Sequence, residues 1–433
     1  MIITFSCQNF RSIRDKVTLD FQASPDKHQR EYFVVEMPKP RLKALKTAMI
    51  YGANASGKTN ILLALDAMRR IVTSVSHNKD ATIPIQPHAL ERDKASVFEI
   101  AFVEDGILYE FHLELSERCI ISETLYHYPK RSRALIFDRQ LKDASSFEYS
   151  YKWTGAGFST QQMDAMNLLL QNRTVISGVG SFQYSGPINV VREWFTKRLL
   201  PIVNPKTELF LHCMDNYLLI KEPGITRFFI DQLQKADLNI EEIRAHQHKI
   251  QLGQIPEPAR SNMIKQGAVS LNATVVNAEV IVRDLTIKHN TQGQSFELSY
   301  NDESMGTQRY FGIISLLLEL LASKIILIDE IESSLHNDLL IHFISSFLKN
   351  SAGGQLIFTS HNTALLNEKE IIRRDCVWIT DRKEDGSTEL TRVSAYPVRK
   401  EHALDSLFKK GLIGGKPNLG PIEIEDIPNG QTI

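Results

Sequence analysis

The octapeptide GANASGKT at residues 52–59 sets Lys58 and Thr59 behind two glycines in the spacing G-x-x-x-x-G-K-[ST]. That spacing suits one chemistry, the cradling of a nucleoside triphosphate by a phosphate-binding loop. Gly52 and Gly57 let the backbone turn tightly, so that the N–H groups of Asn54, Ala55, Ser56 and Asn60 point inward at the phosphate oxygens. The helix that follows adds its positive end. Lys58 supplies a point charge to the β- and γ-phosphates, and the Thr59 hydroxyl is placed to hold a magnesium ion that bridges them.

A second half of such a site lies far downstream. Residues 324–330 read KIILIDE, four aliphatics closed by two acids, which is the form of a buried central strand with carboxylates at its C-terminal end. Open α/β sheets place ligands at that edge. Asp329 is the natural partner of a magnesium ion on Thr59, and Glu330 the natural base or water-orienting group for hydrolysis. Upstream, Ser304 has the character of an N-cap, and the N–H groups around Gly306, Thr307 and Gln308 offer a second anion site at a helix start. Downstream, the apolar run 356–359 ends in Ser360-His361-Asn362, which puts His361 within reach of a γ-phosphate.

The elements that must position these groups are legible in part. Residues 1–23 alternate as two strands around a turn at 9–15, residues 48–51 form a strand into the loop, and 60–71 carry helical apolar spacing. A polar, proline-bearing connection is expected over 26–45. Short β-rich segments at 97–102, 108–115, 120–128, 134–138 and 147–153 predict an antiparallel lobe inserted after the helix. Helical patterns follow at 161–172, 188–200 and 225–235, and 236–244 and 281–289 suggest a return to the sheet, with a surface loop at 251–266. The expected division is an N-terminal half of the nucleotide-binding head at 1–158, a mainly helical insertion at 159–280, and a C-terminal half at 281–433.

Composition limits the function classes. Lys and Arg total 50 against 51 for Asp and Glu, a net charge of -1 that gives no global pull toward nucleic acid. Cys7, Cys119, Cys213 and Cys376 are widely spaced and form no CxxC pair, which points to a reducing, cytoplasmic setting without a disulfide framework. No apolar run approaches the ~20 residues that span a bilayer, so no membrane association is expected. His246 and His248 are read as a solvated helix face rather than a metal site. Arg131, Arg133, Arg139 and Lys142 could line a basic groove on the β lobe.

Taken in order, GANASGKT, ESMGTQR at 303–309, IILIDE, ESSLH at 332–336 and FTSHN at 358–362 resemble the ATPase head of the ABC superfamily. The likeness is to its compact, transporter-free AAA15/AAA21 branch, akin to Rad50, SMC and OLD proteins. The opening MIITFSCQNFRSI and the tail LFKKGLIGGKPNLG are similar to that branch as well. The resemblance implies an α/β, ABC-type P-loop head with ATP and Mg2+ as cofactors. Gly52, Asn54, Gly57, Lys58 and Thr59 become the Walker A loop, Asp329 and Glu330 the Walker B acids, and His361 the switch histidine. Ser304, Gly306, Thr307 and Gln308 become a signature motif that contacts nucleotide on an opposing protomer, while Arg11 and Ser12 match an early Arg-Ser that approaches the nucleotide. The signature reads SMGTQ rather than a double-glycine form. Gln86 is a candidate for the Q-loop glutamine at the metal, with an ordinary surface-loop glutamine as the alternative.

One head per chain implies a dimer or higher homo-oligomer. Members of this branch resemble components of anti-phage abortive-infection systems such as PARIS, in which an ATPase controls a separate nuclease or toxin. The expectation is therefore an ATP-hydrolysing sensor and scaffold with a protein effector and a phage-encoded trigger. The competing reading is a DNA-repair or DNA-structure ATPase of RecF/Rad50 type, which leaves DNA binding open. A GTP-dependent regulator ranks last, because no Asn-Lys-x-Asp motif occurs.

Overall fold

The computed structural model describes residues 1–416 except 38–40, 76, 131, 182, 221, 237, 258–272, 277–278 and 399–401. Its centre is a five-stranded sheet in the order Ile325–Ile328, Gln355–Thr359, Thr47–Gly52, Val377–Arg382, Thr388–Arg392. The first four strands are parallel and the last is antiparallel. These strands are continuous apolar runs because both faces of the sheet are covered. Ala48, Ile50, Leu327 and Ile357 pack toward the helix Lys58–Thr73. Their neighbours Met49, Tyr51, Ile328 and Phe358 pack toward the helices Met305–Leu321 and Asn337–Asn350. Residues 199–203 run along the outer edge of Ile325–Ile328, with Leu200 N–H donating to the Ile325 carbonyl at 3.0 Å.

The antiparallel lobe is a seven-stranded sheet in the order Glu148–Trp153, Ala134–Asp143, Ile120–Tyr128, Ile107–Leu115, Ser96–Glu104, Ile2–Gln8, Val17–Asp20. The opening hairpin is thus part of the lobe, joined to it where Phe5 sits opposite Ile100. Period-two alternation gives one buried face, and that face shares a single core with the helix Lys58–Thr73.

The helices expected after 159 appear as Thr160–Asn167, opening on a capping box in which Ser159 and Gln162 exchange bonds, Pro187–Glu193 continuing through Trp194–Arg198, and Pro223–Lys235 with proline at its start, while 168–172 and 199–200 are not helical. The chain then becomes extended. Ile240–Gln251 pairs with Glu279–Thr291, Ile243 opposite Ile287, in a four-stranded sheet with Ala273–Val276 and Gln294–Ser299. The expectation that these segments rejoin the central sheet is corrected: their apolar positions pack with Phe210, Met214, Phe229 and Leu233 onto Phe311 and Ile314 of the helix Met305–Leu321.

Other expectations change for local reasons. The segment 26–45 is not a plain loop. It holds a helical turn, Arg30–Phe33, and a hairpin of Val34–Met37 with Leu42–Leu45, anchored by the buried Phe33 and Leu45. His246 and His248 lie on an exposed strand rather than a helix, His248 facing Asp284 at 3.5 Å, and no metal-suited cluster of three or more His, Cys, Asp or Glu occurs among the described residues. Two of the four residues expected to line a basic groove are engaged elsewhere. Arg139 is wholly buried, donating to the Arg173 carbonyl at 2.6 Å and lying over Tyr149, while Arg133 pairs with Glu110. Arg131, residues 258–266 of the expected loop and residues 417–420 of the tail lie outside the described residues. No helix among the described residues is long and apolar enough to cross a membrane.

A buried ion pair joins segments 24–28 and 373–375. Arg373 and Asp375 are each 1% exposed, 2.7 Å apart, and Arg373 also donates to the carbonyls of His28 at 2.6 Å and Asp26 at 2.9 Å. Removing the guanidinium strands a buried carboxylate. Arg373→Ala should therefore lower unfolding free energy by about 3–5 kcal/mol, read as a shifted midpoint in urea unfolding. An unshifted midpoint would mean that this contact does not hold these segments together.

Candidate active site

The phosphate loop leaves the strand Thr47–Gly52 at the carboxyl edge of the central sheet and enters the helix Lys58–Thr73. Ala55 at φ 60° and Gly57 at φ 101° take left-handed conformations, the alternation that turns consecutive N–H groups into one concavity. Gly57 is required twice over, because a Cβ there would also collide with the Thr388 hydroxyl. A Cβ on Gly52 would collide with Thr380. Lys58 is buried and folds back onto the loop, donating to the carbonyls of Gly52 at 3.0 Å and Ala53 at 2.9 Å. Burial pulls its pKa down to about 8, while the carboxylates of Asp329, Glu332 and Glu330 act in the opposite direction.

The acids arrive from the other half of the chain. The Thr59 hydroxyl lies 3.0 and 3.1 Å from the two carboxylate oxygens of Asp329. Asp329 is itself held by its own N–H on the Val203 carbonyl at 2.8 Å and by the Thr359 hydroxyl at 2.7 Å. Glu330 turns off the strand end at φ 48°, with its N–H on Thr359 at 2.8 Å. A left-handed glutamate is uncommon, and such backbone persists where the surroundings over-determine it, as they do here. The paired hydroxyl and carboxylate form a hard-oxygen donor set that fits magnesium, whose ligands are of that kind.

Residues 11 and 12 join the same region. Ser12 Oγ is 2.7 Å from Thr388 Oγ1 and accepts from Asn60 Nδ2 at 2.7 Å. Arg11 is exposed, and its N–H donates to the Gln86 carbonyl at 2.7 Å, which places the loop of Gln86 beside the Arg11-Ser12 turn. His361 is exposed, its N–H donating to Glu332 Oε1 at 2.6 Å. Ser304 caps the helix Met305–Leu321 by accepting from Thr307 N–H at 3.1 Å, and Gln308 Nε2 ties back to the carbonyls of Tyr300 and Glu303 at 2.9 and 3.0 Å. Among the described residues no hydrogen bond joins Ser304, Gly306, Thr307 or Gln308 to residues 52–60; Gly306 instead lies against the Ser334 carbonyl.

Sequence reasoning missed the hydroxyls beneath the loop. Thr380 Oγ1 is 2.6 Å from Ser56 Oγ and donates to the Tyr51 carbonyl at 3.2 Å, and Thr388 Oγ1 donates to the Ser56 carbonyl at 3.0 Å. Thr359 and Glu332 were missed too, although both lie inside motifs that were read. Thr359 at least closes an apolar strand in the sequence, whereas Thr380 and Thr388 carry no pattern that marks them.

The chain matches a family described as "AAA_21: AAA domain, putative AbiEii toxin, Type IV TA system" over residues 48–165 and 215–367, well over half its length. The chain belongs to the AAA_21 family. The matched segments of this AAA_21 protein include residues 52–60, 303–309, Asp329, Glu330 and His361. Among solved structures it is similar to the SMC head domain from Thermotoga maritima, at 14% identity and a TM-score of 0.41, covering 90% of this chain and 98% of that one. It is also similar to an SMC head crystallised with the C-winged helix domain of ScpA, at 13% identity and a TM-score of 0.40, covering 90% and 97%. No curated protein matches it.

The lowered Lys58 pKa gives a pH signature. Phosphate binding needs the ammonium form, which predominates below pH 7, is half lost near pH 8 and falls away above it. Nucleotide affinity should fall about twofold from pH 7 to 8 and then more steeply, approaching about tenfold per pH unit beyond pH 9, in a fluorescence titration with labelled ATP. Affinity level to pH 10 would contradict the role of Lys58. Gly57→Ala should abolish this binding while leaving the thermal midpoint within about 5 °C of wild type, because the clash is confined to the loop.

Proposed function

We propose that this AAA_21 protein is an ABC-type ATPase head that binds and hydrolyses ATP in magnesium-dependent composite sites. The observation that carries this reading is the contact of Thr59 with Asp329 beneath a loop already folded for phosphate. Asn54, Ala55, Ser56 and Asn60 would offer loop N–H groups to the phosphates, and Lys58 would leave the loop carbonyls for the β- and γ-oxygens. Magnesium, held at Thr59 and Asp329 with Gln86 as a further candidate, would neutralise phosphate charge. Glu330 would orient the attacking water and accept its proton, and His361 would report the γ-phosphate.

One phosphate loop per chain, with the signature residues bonded only within their own helix start, supports completion of each site by a second copy. On this reading Ser304, Gly306, Thr307 and Gln308 face the partner's nucleotide, and ATP closes two heads against each other. The 1–158 and 281–433 segments would form the head, apart from Glu279–Thr291 and Gln294–Ser299, which join the sheet of Ile240–Gln251, and 159–280 would present a surface to a protein partner.

The biological setting proposed is a cytoplasmic anti-phage sensor and scaffold, controlling a separate nuclease or toxin in response to a phage-encoded trigger. The family's description as a toxin–antitoxin component accords with it. The competing reading of a DNA-repair or DNA-structure ATPase is no better supported, since Arg139 is buried and Arg133 pairs with Glu110.

Steady-state ATP hydrolysis against protein concentration, with Mg2+, tests the enzymatic core. Specific activity should rise with concentration, and Lys58→Ala and Glu330→Gln should each lower it by about a hundredfold or more, Glu330→Gln with ATP binding intact. Turnover at the wild-type rate in either variant would sink the assignment of that residue.

A further inference from the structure

The turn after the Walker B acids carries a carboxylate that the proposed mechanism leaves unused. Glu332 Oε1 accepts the N–H of His361 at 2.6 Å, and Asn362 Nδ2 donates to Asn337 Oδ1 at 2.9 Å. Two bonds therefore clamp the loop of His361 to the turn at 332–337. The other oxygen, Oε2, is buried without a hydrogen-bond partner among the described residues. Glu332 also acts electrostatically on Lys58, and its charge adds to the burial that pushes the Tyr51 hydroxyl up. Its charge is thus felt at the strand that enters the loop and at the loop lysine, while its Oε1 holds the backbone at His361.

A buried carboxylate oxygen without a partner costs desolvation, so the contact made by Oε1 has to offset it, and an amide of the same length would present the same acceptor to the His361 N–H. Its bond to the His361 N–H ties the loop of His361 to the turn that follows Asp329 and Glu330. We propose that Glu332 is a positioning residue for His361: its Oε1 fixes the backbone at 361 so that the imidazole meets the γ-phosphate. This rests on the ATPase reading. The acceptor at the end of a four-carbon reach is the essential feature, so glutamine should replace glutamate and aspartate should not.

The test uses the full chain with Glu332→Gln, Glu332→Asp and His361→Ala. Glu332→Asp should lower kcat by about tenfold or more with the ATP KM within about twofold, because ground-state binding is untouched. Glu332→Gln should keep kcat within about threefold of wild type, and adding His361→Ala to Glu332→Asp should bring no further loss, as for residues acting as one unit. Wild-type turnover in Glu332→Asp, a glutamine variant as slow as the aspartate one, or additive losses would each overturn the proposal. A turn-stabilising role alone would lower the thermal midpoint without splitting kcat from KM. Amide hydrogen exchange at residue 361 gives a second readout that needs no turnover: protection should persist in Glu332→Gln and fall in Glu332→Asp, and equal protection in both overturns the proposal even in an inert protein. Absence of hydrolysis in the wild type would instead count against the ATPase reading.

Discussion

Everything in the site depends on the approach of Thr59 to Asp329, residues separated by 270 positions and brought to hydrogen-bond distance at one edge of the central sheet. Neither side of that contact positions itself. Thr59 is set by the first turn of a helix whose entry is dictated by a left-handed Gly57, and Asp329 by a buried strand whose outer neighbour, residues 199–203, fixes its N–H. The parallel strand order 325–328, 355–359, 47–52 sets the strand entering the glycine loop and the strand ending at Asp329 on either side of 355–359, with Thr359 on the strand between them bonded to Asp329. A polar group on that middle strand is what makes the spacing workable.

The opposite flank of the loop is equally constrained. Thr380, Thr388 and Ser12 form a chain of hydroxyls under Ser56 and Asn60, so the carboxyl-terminal hairpin and the amino-terminal turn both bear on the phosphate cradle. Tight backbone approach explains the glycines at 52 and 57, since any side chain there would occupy the space of these threonines. The buried Arg373–Asp375 pair likewise joins segments 24–28 and 373–375. The phosphate loop is therefore supported by segments from both termini.

How much of this was legible follows from the range of each signal. The five lobe strands, the loop, its helix and the Walker B strand are local patterns of period two, of 3.6 or of fixed spacing, and each appears where the pattern lies. The hairpin at 34–45 was hidden because Lys43 and Glu36 interrupt short apolar runs. The strand at 240–251 was misplaced because pairing partners are not encoded in periodicity, and its outer half is exposed on both faces. His246 and His248 were read on a helix for the same reason. Arg139 looked like surface charge, yet Glu123 is buried beside it with a pKa raised to about 7, chiefly by burial. Thr380 and Thr388 were invisible because a hydroxyl bracing a distant backbone leaves no local mark.

Calorimetric titration of ATP into the wild-type chain and Asp329→Ala, each with and without magnesium, tests most directly the claim that the two halves build one metal–nucleotide site. The wild type should bind ATP more tightly with the ion, and Asp329→Ala should bind with an affinity that magnesium does not change. Wild-type binding indifferent to magnesium, or a variant that keeps the full magnesium dependence, would contradict the account.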